Sequence, residues 1–199
     1  FGAGNAVNRD ITVTQDMVVM NLDVTDGGYS FGGARVAVLG NASLNFDSGV
    51  VDFQNQLVVQ GNLVAAGSGS LQLSDAATVA GSAALNNLST TIAGDLTVGG
   101  MLTVNADTLN ISGNVEAEEM EFVVNSDPAS AEVSGNLTVG TEDDDVGKIT
   151  IGGSAKQQFT GTVTAKGLIV KGGDVYFSRL QVASLTVDKD ATVHVQTSS

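Results

Sequence analysis

The sequence predicts an all-β protein, a parallel β-helix (β-solenoid) with about 20–22 residues per coil, and three observations carry that reading. Units of one apolar, one small polar and one apolar residue, closed by Gly, Asn or Asp, run from end to end, as in Leu57-Val58-Val59, Leu96-Thr97-Val98, Leu137-Thr138-Val139 and Leu185-Thr186-Val187. Alternation with a period of two is the signature of strands. Glycines that open a corner before a strand fall at Gly40, Gly61 and Gly81 and again at Gly113 and Gly135, spaced 21, 20 and 22 apart within the two runs, while Gly94 falls out of step. Helical stretches of 10–15 residues between strands, which an α/β fold requires, are missing. Three short strands and three corners fill about 20 residues, one coil resting on the next about 4.8 Å away. The 199 residues then make about nine coils and a rod roughly 40 Å long.

Taken in order, Ile11, Val13, Met17 and Val19 alternate on one phase and Val18, Met20, Leu22 and Val24 on the other. Residues 1–25 therefore read either as the first coil or as a strand segment that caps the end or pairs with a neighbouring subunit. From Gly40 onward, Gly61-Asn62-Leu63, Gly94-Asp95-Leu96, Gly113-Asn114-Val115 and Gly135-Asn136-Leu137 share one pattern, in which Gly and Asn or Asp supply the backbone angles of a tight corner. Asn114 to Val124 is rich in Glu, but Met120, Phe122 and Val124 alternate, so a strand is expected there. The C-terminal text, through Val193-His194-Val195, reads as regular strands with no cap. A single solenoid domain over 1–199 is expected.

The core is expected to be Val, Leu, Ile and Ala, since the chain has seven Phe, two Tyr and no Trp. Twenty-two acidic residues against eight basic ones give a net charge of −14, which repels nucleic-acid phosphates and anionic membrane surfaces. No apolar run approaches the roughly 18 residues of a membrane helix, so no membrane insertion is expected. With no cysteine, disulfides and thiolate chemistry are excluded. Beginning at Phe1 rather than Met, the chain reads as trimmed of a targeting peptide or as part of a longer protein, and an extracellular or cell-surface setting is expected.

Gly94-Asp95-Leu96-Thr97-Val98-Gly99-Gly100, Leu102-Thr103-Val104-Asn105-Ala106-Asp107 and the stretch from Leu185 to Val193 resemble the coils of bacterial secreted β-helix surface proteins, the autotransporter passengers and filamentous-haemagglutinin-type adhesins. That likeness spans roughly residues 35–195. Ile111-Ser112-Gly113-Asn114-Val115-Glu116 is similar to a coil of the bactofilins, cytoskeletal β-helices that polymerise end to end without nucleotide. Here the period is longer and less regular, and the surface carries more Asn and Asp. Both resemblances imply a structural role.

Constellations able to carry chemistry are few. The single histidine, His194, stands where an alternating strand points it outward, and Gly67-Ser68-Gly69-Ser70 lacks the strand and helix of a nucleophile elbow. The eight basic residues, Arg9, Arg35, Lys148, Lys156, Lys166, Lys171, Arg179 and Lys189, read as scattered, a poor groove for an acidic sugar. No enzyme is expected. Two acidic runs remain, Glu116 to Glu121 and Glu142 to Asp145; Asp143, Asp144 and Asp145 are candidate Ca²⁺ ligands, the only cofactor the sequence suggests, although an acidic turn is also the mark of a solvated loop. Asn41, Asn87, Asn110 and Asn136 head Asn-x-Ser/Thr triplets and are candidate glycosylation sites. Thr12 and Thr14, like Thr160, Thr162 and Thr164, do not recur once per coil, so no flat ice-binding array is expected.

The expectation is a non-catalytic subunit of a self-assembling extracellular filament or surface layer, its partner another copy of itself. Ile11, Val13, Val18, Met20, Leu22, Val193 and Val195 are the candidate assembly residues, because uncapped strand edges recruit further strands. The alternatives are a segment of an adhesin that binds a surface glycan or host protein, and a bactofilin-like intracellular scaffold.

Overall fold

The computed structural model describes residues 9–125, 130–140 and 147–196, in which every regular element is a strand and every strand pairing is parallel. The first coil is β1 (Arg9–Val13), β2 (Met17–Val19) and β3 (Leu22–Val24); the second is β4 (Tyr29–Gly33), β5 (Val36–Val38) and β6 (Ala42–Asn45). β7 (Val50–Phe53) and β8 (Leu57–Val59) begin the third, which the first half of β9 (Leu63–Leu73) closes before it bends into the fourth. β10 (Ala77–Val79), β11 (Ala83–Ile92), β12 (Leu96–Ala106), β13 (Thr108–Ile111) and β14 (Val115–Val124) carry the stack through the sixth coil. β15 (Ser130–Val133), β16 (Leu137–Val139) and β17 (Lys148–Gly153) form the seventh, and β18 (Lys156–Val170) and β19 (Gly173–Val187) each run a whole coil. β20 (Ala191–Val195) adds one side of a tenth. The predicted β-solenoid is what forms, and residues 9–24 are its first coil, paired through β4, β5 and β6.

Each coil has three sides, and residues one coil apart form columns. On side one the register passes from Ile11 through Phe31, Phe53, Leu73, Ile92, Ile111, Val133, Phe159 and Phe177 to Val195. Strand alternation turns every second column inward, and from Phe31 to Phe177 this one is buried to 1% exposure or less. The rings of Phe31 and Phe53 lie 4.8 Å apart at 6°, and those of Phe159 and Phe177 5.0 Å apart at 21°. The ring spacing matches the strand spacing, so the backbone ladder dictates the stack. Val, Leu, Ala and Ile columns, with Met120 and Phe122, fill the other two sides.

The period is looser than 20–22. On side two a coil takes 19 to 22 residues from Met17 to Leu137, then 26 to Val163 and 17 to Leu180. Corners absorb the difference, because the inward columns must stay in register while loops need not.

Two corners explain the glycines. Gly40, Gly61, Gly81 and Gly100 stack at the corner between sides two and three, each amide donating to the carbonyl of the one before, at 2.8, 3.0 and 3.1 Å. Gly94, Gly113, Gly135 and Gly161 stack at the corner between sides one and two, where a Cβ on Gly113, Gly135 or Gly161 would lie within 2.0 Å of the preceding glycine's carbonyl oxygen. Gly94 is thus in step with Gly113; the sequence holds two glycine columns at different corners, and reading them as one repeat put Gly94 out of phase.

The residue after each of these corner positions, Met20 standing in the glycine's place in the first coil, builds a second ladder. The Asn21 side-chain oxygen accepts the Asn41 amide (3.1 Å), Asn41 the Asn62 amide (2.9 Å) and Asn62 the Ser82 amide (2.9 Å). At the other corner Asp95 accepts from Asn114 (2.8 Å), Asn114 from Asn136 (3.2 Å) and Asn136 from Thr162 (2.9 Å). The backbone donors left over where strands end are satisfied in this way.

Candidate functional site: the open last coil

β20 pairs with β19 along Gly173–Phe177 only, and among the described residues no strand lies beyond β20 or beyond Leu180–Val187. The inward columns therefore end in the open. Leu185 and Val187 are 43% exposed and Val195 is 47%, whereas Leu168, Val170 and Phe177, one coil earlier, are at most 1%. Leu180, Val182 and Val193 are partly buried. Among the described residues this face is a cross-section of the core.

The opposite end differs. Ile11, Met17 and Val19 are partly buried, but on side three Leu22 is 3% exposed and Val24 is fully buried. Of the predicted assembly residues, Ile11, Val193 and Val195 sit at the ends. Val13, at 7%, and Leu22, at 3%, are buried in the single chain. Val18 and Met20, 58% and 68% exposed, lie on the lateral surface of the rod rather than on its end.

The outer face of side one carries a stack of polar rings beside this end. The Lys156 ammonium lies 4.6 Å from the Tyr176 ring centroid, and the Tyr176 ring stacks on His194 at 4.3 Å and 9°. Asp174 joins them, accepting the Tyr176 hydroxyl at 2.9 Å and meeting His194 Nε2 at 2.8 Å. That hydrogen bond from Tyr176 to the carboxylate, with desolvation and the carboxylate's charge, raises the phenol pKa above its ordinary value. His194 points outward, as its place in the strand predicted.

The remaining candidates separate. Asp143, Asp144 and Asp145 lie outside the described residues; among those described, no group of three or more His, Asp or Glu is placed to hold a metal ion. Asn41, Asn110 and Asn136 are exposed, although Asn41 and Asn136 also serve the corner ladders. Asn87 is 3% exposed, and neither atom of its amide has a hydrogen-bond partner, so the folded coil leaves no room for a glycan there. A shallow groove of about 450 Å³ on side three is lined by Glu119, Lys148, Lys166, Leu168, Ser184 and Thr186.

Charge is segregated in a way the sequence reading missed. Six of the eight basic residues fall at Lys148 or later, against three acidic ones, Asp174, Asp188 and Asp190, so the last coils carry +3. The first two coils, residues 9–49, hold five acidic residues and two basic ones, a charge of −3. The excess of basic residues lies in the seventh and eighth coils, at Lys148, Lys156, Lys166 and Lys171, while residues 173–196 hold Asp174, Asp188 and Asp190 against Arg179 and Lys189, a charge of −1. No protein-family model, curated protein or solved structure matches the chain.

Proposed function

We propose that the chain is a non-catalytic structural subunit that assembles end to end into an extracellular filament or surface layer. The observation that carries this reading is the open last coil, whose inward columns end in half-exposed Leu185, Val187 and Val195. A second copy of the chain, its first coil on that face, is the occupant this reading assigns. A head-to-tail contact of this kind does not close on itself and generates a fibre. The likeness of the coils to those of secreted β-helix proteins supports a setting outside the cell.

Negative-stain electron microscopy and sedimentation over a concentration series test the proposal, with and without a chelator to ask whether Ca²⁺ contributes. Lengthening rods are expected in the wild type, and single rods in the end-face variants Leu185→Lys and Val187→Lys. Single rods about 40 Å long at every wild-type concentration overturn it.

A lateral binding surface, as on an adhesin, is the second reading. Met20, Leu39, Val64 and Met101 leave 68%, 51%, 44% and 36% of their surface exposed, and Val64, Ala84, Met101 and Thr103 line a groove of about 330 Å³. Exposed apolar patches of this kind mark contact sites. Retention of the chain on a glycan or host-protein surface, lost in Met101→Lys, is the outcome that favours it.

A further inference from the structure

We infer that two copies of the chain pair side by side and antiparallel along the corner between sides two and three, on a two-fold axis at Gln60. The contact is lateral and does not depend on the end-to-end reading above. Its first ground is charge. Apart from Asp23, sides two and three of the first five coils hold no Asp, Glu, Lys, Arg or His over residues 17–24, 36–46, 57–66, 77–87 and 96–106, in a chain of net charge −14. The run ends at the sixth coil, where β14 carries Glu116, Glu118, Glu119 and Glu121. Covering such a face desolvates no ion pair, and two copies that meet on it oppose no like charges. Met20, Leu39, Val64 and Met101 stand out of it, 68%, 51%, 44% and 36% exposed.

The second ground is shape. Side two is in register through Val19, Val38, Val59, Val79 and Val98. The residues that follow them form an outer column at the corner, Met20, Leu39, Gln60, Ala80 and Gly99, and all five are exposed. Backbone amides tie the column rung to rung, Leu39 donating to Val19, Gln60 to Val38 and Ala80 to Val59, each at 2.8 Å. Over about 19 Å the column falls from a long side chain to none. Laid parallel on a second copy, it puts bulk on bulk at one end and leaves a gap at the other. Turned antiparallel about Gln60, it sets Met20 against Gly99, Leu39 against Ala80 and Gln60 against its own copy.

The flanks agree with this arrangement. Strand spacing is the same in both copies, so the match holds at every rung. The groove of about 330 Å³ lined by Val64, Ser82, Ala84 and Met101 opens beside the small end of the column, where the partner's Met20 arrives. On side three the outer column runs Asp23, Ser43, Val64, Ala84 and Thr103, so the same two-fold brings Asp23 opposite Thr103 and not opposite another acid. An isologous contact of this kind closes at two copies, and each residue in it meets its partner twice. A ridge of five rungs lies at the low end of interface sizes, so the pair is weak, with a Kd of about 10–100 μM.

The chain has no cysteine, so single introduced thiols report the geometry. Gln60→Cys should oxidise to a disulfide-linked dimer, because its two thiols meet on the axis. Leu39→Cys and Ala80→Cys should each stay single alone and cross-link when mixed. Asn110→Cys, exposed on side one, is the control for random collision. Sedimentation adds a size swap, with circular dichroism confirming that each variant folds. Leu39→Ala and Ala80→Leu should each weaken pairing about tenfold, and the two changes in one chain should restore it to within about threefold. Leu39→Cys cross-linking to itself as fast as Gln60→Cys overturns the antiparallel register. If no thiol variant exceeds the control, lateral pairing fails, and rods that still lengthen with concentration leave the end-to-end reading standing.

Discussion

Gly113 sits directly on Gly94, so closely that a Cβ on Gly113 would lie 2.0 Å from the Gly94 carbonyl oxygen and 2.4 Å from its carbon. The obstacle is backbone, which cannot swing aside. Gly113→Ala should therefore destabilise the chain by about 2–4 kcal/mol in denaturant unfolding. Gly32→Ala is the control: its nearest neighbour is the end of the Gln54 side chain at 3.7 Å, and it should change stability by less than about 0.5 kcal/mol. Equal effects would show that the glycine column is not a steric requirement.

The corner ladder needs an acceptor and not an amide as such. Asn62→Ala leaves the Ser82 amide without its 2.9 Å partner and should cost about 1 kcal/mol, reduced by access to water. Asn62→Asp should recover most of that loss, because Asp95 already fills the equivalent place and accepts the Asn114 amide at 2.8 Å. Thermal melts of the two variants decide it.

Asn87 predicts the opposite sign. Its buried amide has no hydrogen-bond partner, so it loses hydration on folding with no bond in return. Asn87→Leu, with a side chain of similar size, should be neutral or stabilising by about 1–3 kcal/mol. A clear loss of stability would mean that the amide is hydrogen-bonded in solution.

The Tyr176 phenol is held neutral by Asp174, so the part of the alkaline absorbance change that Tyr176→Phe removes should have its midpoint above the ordinary tyrosine value. Because the folded-state pKa is the higher one, the associated stability is full below the unfolded tyrosine's pKa and falls as pH rises through the folded one. Asp174→Asn should move the midpoint back down. An unchanged midpoint in that variant would rule out the carboxylate as the cause.

The strand repeat was legible because alternation survives in every coil: Leu96-Thr97-Val98 is buried, exposed, buried, as its text implies. Asn114 to Val124 was legible as a strand for the same reason, despite its glutamates, which take the outer and half-exposed positions. Corners were harder to read. Loops between sides vary in length, so glycines from two corners interleave in the sequence, and only pairing in space assigns Gly94 to Gly113. The burial of Val13 and Leu22 was not legible, since the sequence does not say which inward residues of the first coil are covered. The charge separation was visible in the sequence, but a net charge of −14 conceals it until positions are converted into coils.

Every inter-coil contact described above joins residues about one period apart, which makes the length of the rod a free parameter. Removing residues 63–82 takes out one side of each kind and joins Asn62 to Ala83, the partner of Leu63 in the register. Val51 would then meet Thr90, Leu57 would meet Leu96 and Leu44 would meet Leu85, apolar columns continuing with one layer fewer at all but the threonine position. Insertion of a duplicated coil follows the same rule. A family built on this plan can change reach in steps of about 4.8 Å while its end faces stay the same.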